Sequence, residues 1–208
     1  MPDDSEFFRK KPQQARSWSV VNAIIEAADQ LLERAGEPQK LSLQRIAERA
    51  GVGIGSLYDY FANREGLLGA FLARLTEKNF EALERELTAL GPMPFDDALP
   101  HLVDAVLRTY LERPERTRAI IRTIARLGWV RPVVAERDRF AALLAERLCA
   151  DHPELDAARA RLASEVLCDA VMGVVLGELW RDRDDAGAAR VREELLALTR
   201  LRLSALVR

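Results

Sequence analysis

The chain has 208 residues, enough for one or two domains that bury a core without disulfide or metal staples. Lys plus Arg number 31 and Asp plus Glu 33, a formal charge of −2, which excludes a wholly basic, histone-like nucleic-acid binder but not a locally basic surface. Charged residues at 31% and hydrophobic ones at 49% describe an ordinary globular chain. No stretch free of Asp, Glu, Lys and Arg exceeds nine residues, against about 20 apolar residues for a membrane span.

Apolar residues recur at spacings of three and four over segments rich in Ala, Leu, Glu and Arg, alternating strand patterns are nearly absent, and the chain reads as all-α. The acidic start, Met1 to Glu6, lacks the order of a signal peptide. A first helix is predicted over about 17–35, with Val21, Ile24, Ile25, Ala28, Leu31 and Leu32 on one face and Gly36 as its stop. Two short helices follow, about 43–50 with Ser42 as N-cap and about 54–61, joined by Gly51-Val52-Gly53. Asn63 caps a long helix to about Leu90, with Leu67, Leu68, Phe71, Leu72 and Leu75 inward. After the break at Gly91-Pro92-Met93-Pro94, helices fit about 95–112, 114–127, 132–150, 156–181 and 188–207. Pro114 and Pro132 suit first-turn positions, where a missing N–H is harmless.

Charge is unevenly spread. Residues 1–8 carry three acids and no base; residues 9–64 carry nine bases and six acids, the one cationic stretch. Within it, Leu41 to Arg64 has the form of a helix-turn-helix. Two helices of about eight residues cannot stand alone, so Ile46, Ala47, Ala50, Val52, Leu57 and Phe61 must bury them, and a glycine permits the left-handed backbone of a sharp turn. The free face offers Ser56, Tyr58, Tyr60 and Arg64, whose hydroxyls and guanidinium suit phosphate oxygens. Ile54 and Gly55 lie where a recognition helix meets base edges, and Gln44 and Arg45 begin the preceding helix. The two glycines can also be a plain turn between core helices; the ordered Tyr58, Tyr60 and Arg64 weigh against that.

At these residues the chain resembles the TetR family of bacterial transcriptional regulators. The resemblance covers about 17–71 and is carried by Ile24, Ile25, Ala27, Ala28, Gly36, Ile46-Ala47, Ala50-Gly51-Val52, Gly55-Ser56-Leu57-Tyr58, Tyr60-Phe61, Asn63-Arg64-Glu65 and Leu67-Leu68. It implies that Tyr58, Tyr60 and Arg64 contact phosphates with Ser56 assisting, and that Gln44, Ile54 and Gly55 lie near base edges, Gln44 being the best placed for a bidentate contact to adenine. Arg64 stands where lysine is more usual. Asp59, an acid at a position often aromatic or basic, is expected to point away from DNA or to pair with an arginine. The implied protein is a cytoplasmic homodimer, a repressor on a palindromic double-stranded DNA operator, released by a small-molecule effector. It needs no cofactor, metal or membrane.

The corresponding organisation is a flexible, basic-tipped arm (1–14), a helix-turn-helix domain (15–63) and a helical ligand-binding and dimerisation domain (64–208). Arg9, Lys10, Lys11 and Arg16 either form a solvated, disordered tail or make an arm along phosphates or in the minor groove. Arg118, Arg122 and Arg126 form a stripe that reads as a wet helix face, with an anion site as the alternative. His101, Tyr110, Trp129, Phe140, Met172 and Trp180 are either ordinary core or the lining of a ligand pocket. A dimer surface is expected on the last two helices: Leu162, Val166, Ala170, Gly173, Gly177 and Trp180 on one, Val191, Leu195 and Leu198 on the other, with Leu203 and Leu206 on an adjoining face. Cys149 and Cys168 read as reduced thiols, and the pairs Glu165/Asp169 and His152/Asp156 read as surface residues. No nucleophile, metal-ligand or phosphate-loop motif appears. The alternatives to a regulator are an all-α ligand-binding or scaffold protein that never touches DNA and a helical enzyme.

Overall fold

A computed structural model describes residues 7–10, 12–35, 40–181 and 184–207. The expected stop at Gly36, together with Met1 to Glu6, Lys11 and Asp182, lies outside them. The described residues form nine helices and no strand: α1 (Ala15–Ala35), α2 (Leu43–Ala50), α3 (Ile54–Tyr60), α4 (Arg64–Ala89), α5 (Phe95–Leu111), α6 (Pro114–Leu127), α7 (Val130–Asp151), α8 (Ala157–Glu178) and α9 (Asp185–Val207). None is long and apolar enough to cross a membrane.

The chain divides into two compact units. The first holds residues 1–77 and 115–133, so it takes in the first half of α4 and all but the first residue of α6, beyond the expected 15–63. Its core buries Val21, Ile24, Ile25, Ala28 and Leu32 of α1, Ile46 and Ala47 of α2, Leu57, Phe61, and the inward face of α4 through Leu75. Ile120, Ile124 and Leu127 of α6 cover that core. Gly51 ends α2 in the left-handed conformation (φ 68°), where its N–H and that of Val52 return to carbonyls of the last turn. Gly53, by contrast, is extended. Asn63 caps α4 by accepting the Gly66 N–H at 2.8 Å. Ser42 occupies the N-cap position of α2, but its hydroxyl accepts no hydrogen bond there, so the expected side-chain cap is absent.

Gly69 is a point of closest approach. A β-carbon there would overlap the Trp129 indole, which also lies 4.4 Å from the Phe7 ring. Trp129 therefore packs, half-buried, against the core of this unit and does not line the cavity of the second unit. Arg116 pairs with Asp29 (2.7 Å) and Arg126 with Glu65 (3.4 Å), while Arg118 bonds Glu115; the arginine stripe of α6 is tied up in ion pairs apart from the exposed Arg122.

The second unit holds residues 78–114 and 134–208. Phe80, Leu83, Phe95, Leu99, Leu102, Phe140, Leu144, Leu148, Ala160, Ala163, Leu203 and Leu206 form its main core, and Val103, Leu195 and Leu196 a second cluster. Leu195 is fully buried there, so it belongs to the core and not to the expected partner surface; Leu203 and Leu206 are likewise buried. The turn after α4 is clamped: Arg147 donates to the carbonyls of Gly91 and Met93, and the Asp151 carboxylate accepts the Phe95 N–H (2.8 Å) that opens α5. Arg192 grips Asp104 through both carboxylate oxygens (2.5 and 2.8 Å), fastening α9 to α5 and holding that carboxyl below the usual carboxylate range.

Gly69→Ala tests the interlock of α4 with Trp129. The added methyl forces the indole aside, and chemical denaturation is expected to show a loss of about 1–3 kcal/mol; an unchanged midpoint contradicts the packing described.

Candidate nucleic-acid interface and helical cavity

Once Leu57 and Phe61 are buried, α3 has only one face left. Gly55, Ser56 and Asp59 are exposed on it, and Tyr58 is 44% exposed, high for an aromatic ring. Tyr60 and Arg64 are half-buried: the Tyr60 ring packs against the core of the unit, and the Arg64 Nε is buried. Ile54 is half-buried against the core, which leaves it less to offer a base edge than an exposed side chain has.

Gln44 and Arg45 are both exposed at the start of α2. The Gln44 amide donates to Glu48 Oε1 at 3.0 Å. That bond consumes one amide hydrogen and leaves the second, together with the carbonyl oxygen, which is the donor–acceptor pair that the N7 and N6 of adenine require. Arg49 donates to Gln30 Oε1 at 2.7 Å, fixing α2 against α1. Asp59 makes no ion pair among the described residues, but it shares an open groove with Arg9, Lys10, Gln13, Gln14 and Tyr60. Of the eight residues expected at a DNA surface, Gln44, Arg45, Gly55, Ser56 and Tyr58 are exposed on one unit, while Ile54, Tyr60 and Arg64 are half-buried there.

The second unit contains a cavity among α4, α5, α7, α8 and α9. Phe80, Leu83, Leu99, Tyr110, Phe140 and Met172 are among its walls. Its free volume is about 60 Å³, so it is a slender slot and not an open chamber. The polar lining groups are already occupied or neutral. The Thr199 hydroxyl donates to the Leu195 carbonyl at 2.9 Å. Arg137 pairs with Asp138 (2.9 Å) and with Asp169 (2.8 Å), which cancels its charge. Burial pushes both the Tyr110 phenol and the Cys168 thiol up to about 12, so each stays protonated at neutral pH. Of the side chains expected around a pocket, Tyr110, Phe140 and Met172 are brought together. His101 is exposed on α5 and Trp180 is 52% exposed; neither lines the slot.

A third feature is a stripe along α8 that ends at Trp180, in the turn just past the helix. Leu162, Val166, Asp169, Gly173, Leu176 and Trp180 are all exposed and spaced 4-3-4-3-4, the period of a helix seam. Leu162 is 62% exposed, and nothing lies within 4 Å of a β-carbon built on Gly173. Leu198 and Leu201 continue the apolar surface on α9. Ala170 and Gly177 flank the stripe, half-buried. Leu176 and Leu201 were not anticipated from the sequence, although strict counting in fours and threes from Leu162 finds Leu176. No cluster of three or more His, Cys, Asp or Glu side chains able to hold a metal occurs among the described residues.

The family model described as "Bacterial regulatory proteins, tetR family" matches residues 24–71, and "Tetracyclin repressor-like, C-terminal domain" matches residues 94–200. A curated relative, an uncharacterised HTH-type transcriptional regulator of Haemophilus influenzae, is 33% identical over 73 residues; the match spans 35% of this chain and 38% of that protein. A protein described as a TetR-family transcriptional regulator from Mesorhizobium loti shares the fold with a TM-score of 0.72 at 18% identity, over 92% of this chain and 98% of that one. The TetR family repressor AlkX from Dietzia, implicated in biodegradation of n-alkanes, has a TM-score of 0.61 at 22% identity, over 89% and 96%.

The Cys168 environment predicts slow alkylation. Iodoacetamide at pH 8 is expected to leave Cys168 unmodified in the native protein and to modify it after denaturation, read by peptide mass spectrometry; rapid native labelling contradicts the burial described.

Proposed function

The chain belongs to the TetR family of bacterial transcriptional regulators, and on that premise we propose that it is a cytoplasmic, sequence-specific repressor that binds a palindromic DNA operator as a homodimer and leaves it when a small molecule occupies the second unit. The observation that carries this reading is the exposed hydroxyl-rich face of α3 on a buried helix-turn-helix. Tyr58, Tyr60, Ser56 and Arg64 serve the phosphates, while Gln44 reads an adenine edge with Gly55 and Ile54 beside it. Arg45 adds a cation at the start of α2.

A single recognition helix of seven residues reaches only a few base pairs. Two copies set about 34–36 Å apart double the contact and impose two-fold symmetry on the site. The 4-3 stripe of α8, widened by Leu198 and Leu201, supports self-association: apart from Asp169, which Arg137 pairs, it is apolar, and it has a bare glycine near its centre where helices can approach.

The slot supports an effector of limited chemistry. Its one guanidinium is outweighed by two carboxylates, and its walls are otherwise apolar apart from Tyr110, Cys168 and the internally bonded Thr199. A neutral, mostly hydrocarbon molecule fits such walls, with the Tyr110 phenol as the strongest hydrogen-bonding group left to meet it, whereas a carboxylate would meet an arginine that already holds two. Typical ligand sites measure roughly 300–1,000 Å³, so binding must spread the walls. Phe80 and Leu83, two of those walls, are on α4, the same continuous helix that begins with Arg64. That helix is the lever by which a spread slot disfavours the DNA-bound spacing, by no more than the ligand's differential affinity for the two states.

Two experiments follow. Arg64→Ala is expected to weaken binding to every duplex alike and to lower the slope of log K against log salt by about one, whereas Gln44→Ala relaxes preference at one position of each half-site; wild-type behaviour from both overturns the interface. In calorimetric titration, 1-decanol is expected to bind at least about tenfold more tightly than decanoate, and Tyr110→Phe to erase about two- to tenfold of the decanol affinity, the worth of one neutral hydrogen bond. Preference for decanoate contradicts the neutral slot, and no response to either chain contradicts the effector site.

A further inference from the structure

The N-terminal residues, expected as a flexible arm, are anchored where the structure describes them. Phe7 is only 4% exposed. Its ring meets Trp129 at 4.4 Å, and its carbonyl oxygen lies 2.7 Å from where a β-carbon on Gly66 would stand. Gly66 and Gly69, three residues apart on α4, form a bare strip: one glycine admits the Phe7 backbone, the other the Trp129 indole. Phe8 packs on Phe61 (5.2 Å) and on the edge of Trp18 (6.0 Å). Immediately after these two aromatics, the Arg9 N–H donates to the Tyr60 carbonyl at 2.7 Å. That carbonyl is one of the acceptors a helix leaves unsatisfied at its C-terminal end.

The consequence is positional. Arg9 and Lys10, both exposed, stand in one groove with Asp59 and Tyr60 at the end of α3. They bring positive charge to the one place on the α3 face where a carboxylate would repel a phosphate. A merely solvated tail has no reason to bury Phe7 and pack Phe8 against Phe61 and Trp18, and a loose tail would not hold its cations at a fixed distance from α3.

We propose that residues 7–10 are a docked strap whose Arg9 and Lys10 bind DNA backbone phosphates beside Tyr60, with Phe7 as the positioning residue that sets them there. The proposal rests on the DNA-binding reading above and adds a contact outside the segment that the helix-turn-helix family model covers. The strap supplies no sequence reading, since phosphates carry none. Its contribution is affinity and register.

The test uses the full chain and a random-sequence duplex, with binding measured across a salt series. Each phosphate contact contributes about 0.9 to the slope of log K against log salt, so Arg9→Ala/Lys10→Ala is expected to lower the slope by about two and to weaken binding roughly tenfold or more at 0.1 M salt. Both side chains are exposed, so this variant keeps its fold. Phe7→Ala, with both cations intact, is expected to lower the slope in the same direction, and Phe7→Leu to restore it. A Phe7→Ala protein that loses thermal stability but keeps the wild-type slope makes Phe7 structural only and overturns the positioning claim. A wild-type slope from the double variant overturns the strap alone. A wild-type protein that binds no duplex overturns the regulator reading and the strap together.

Discussion

The interface depends on the burial of two helices too short to exist unaided. α2 and α3 have eight and seven residues, well below the length at which an isolated helix holds in water. Their stability comes from Ile46, Ala47, Leu57 and Phe61, inserted among α1 and the first half of α4. The same burial dictates which side chains remain outside. With Leu57 and Phe61 inward, the period of the helix leaves Ser56, Tyr58 and Asp59 outward, so the recognition face is a by-product of the core. Gly51 lets the chain turn sharply enough to bring both helices onto one core.

The second unit is organised by a different economy. Its polar groups are spent on one another: Arg192 on Asp104, Arg147 on the turn after α4, Arg137 on Asp138 and Asp169. What remains in the slot is apolar surface and a protonated phenol. Arg137 both lines the slot and holds Asp169, a member of the exposed α8 seam.

Much of this was legible because periodicity and punctuation are local properties. The α1 face, the inward face of α4, the Gly51 turn and the Asn63 cap each follow from residues within two turns of one another. Tertiary neighbours are not local. Trp129 reads as a pocket aromatic until the bare strip of α4 is seen to receive it. Leu195 and Leu198 share one helix and one residue type, yet Leu195 is buried with Val103 and Leu196 while Leu198 is exposed; the placement of α5 and α8 separates them. His101 lies on the solvent side of α5, one residue from the buried Leu102. Phe7 carried a usable signal, two adjacent aromatics in a polar arm, which the run of charge after it obscured.

The central claim is that two copies of one exposed α3 face read DNA together. Selection of bound sequences from a random duplex pool, followed by footprinting of the winners, tests it most directly. The account predicts a two-fold symmetric site whose half-site centres lie about one helical turn apart, protected on the phosphates flanking each half. Enrichment of a single unpaired half-site, or no enrichment at all, would contradict it.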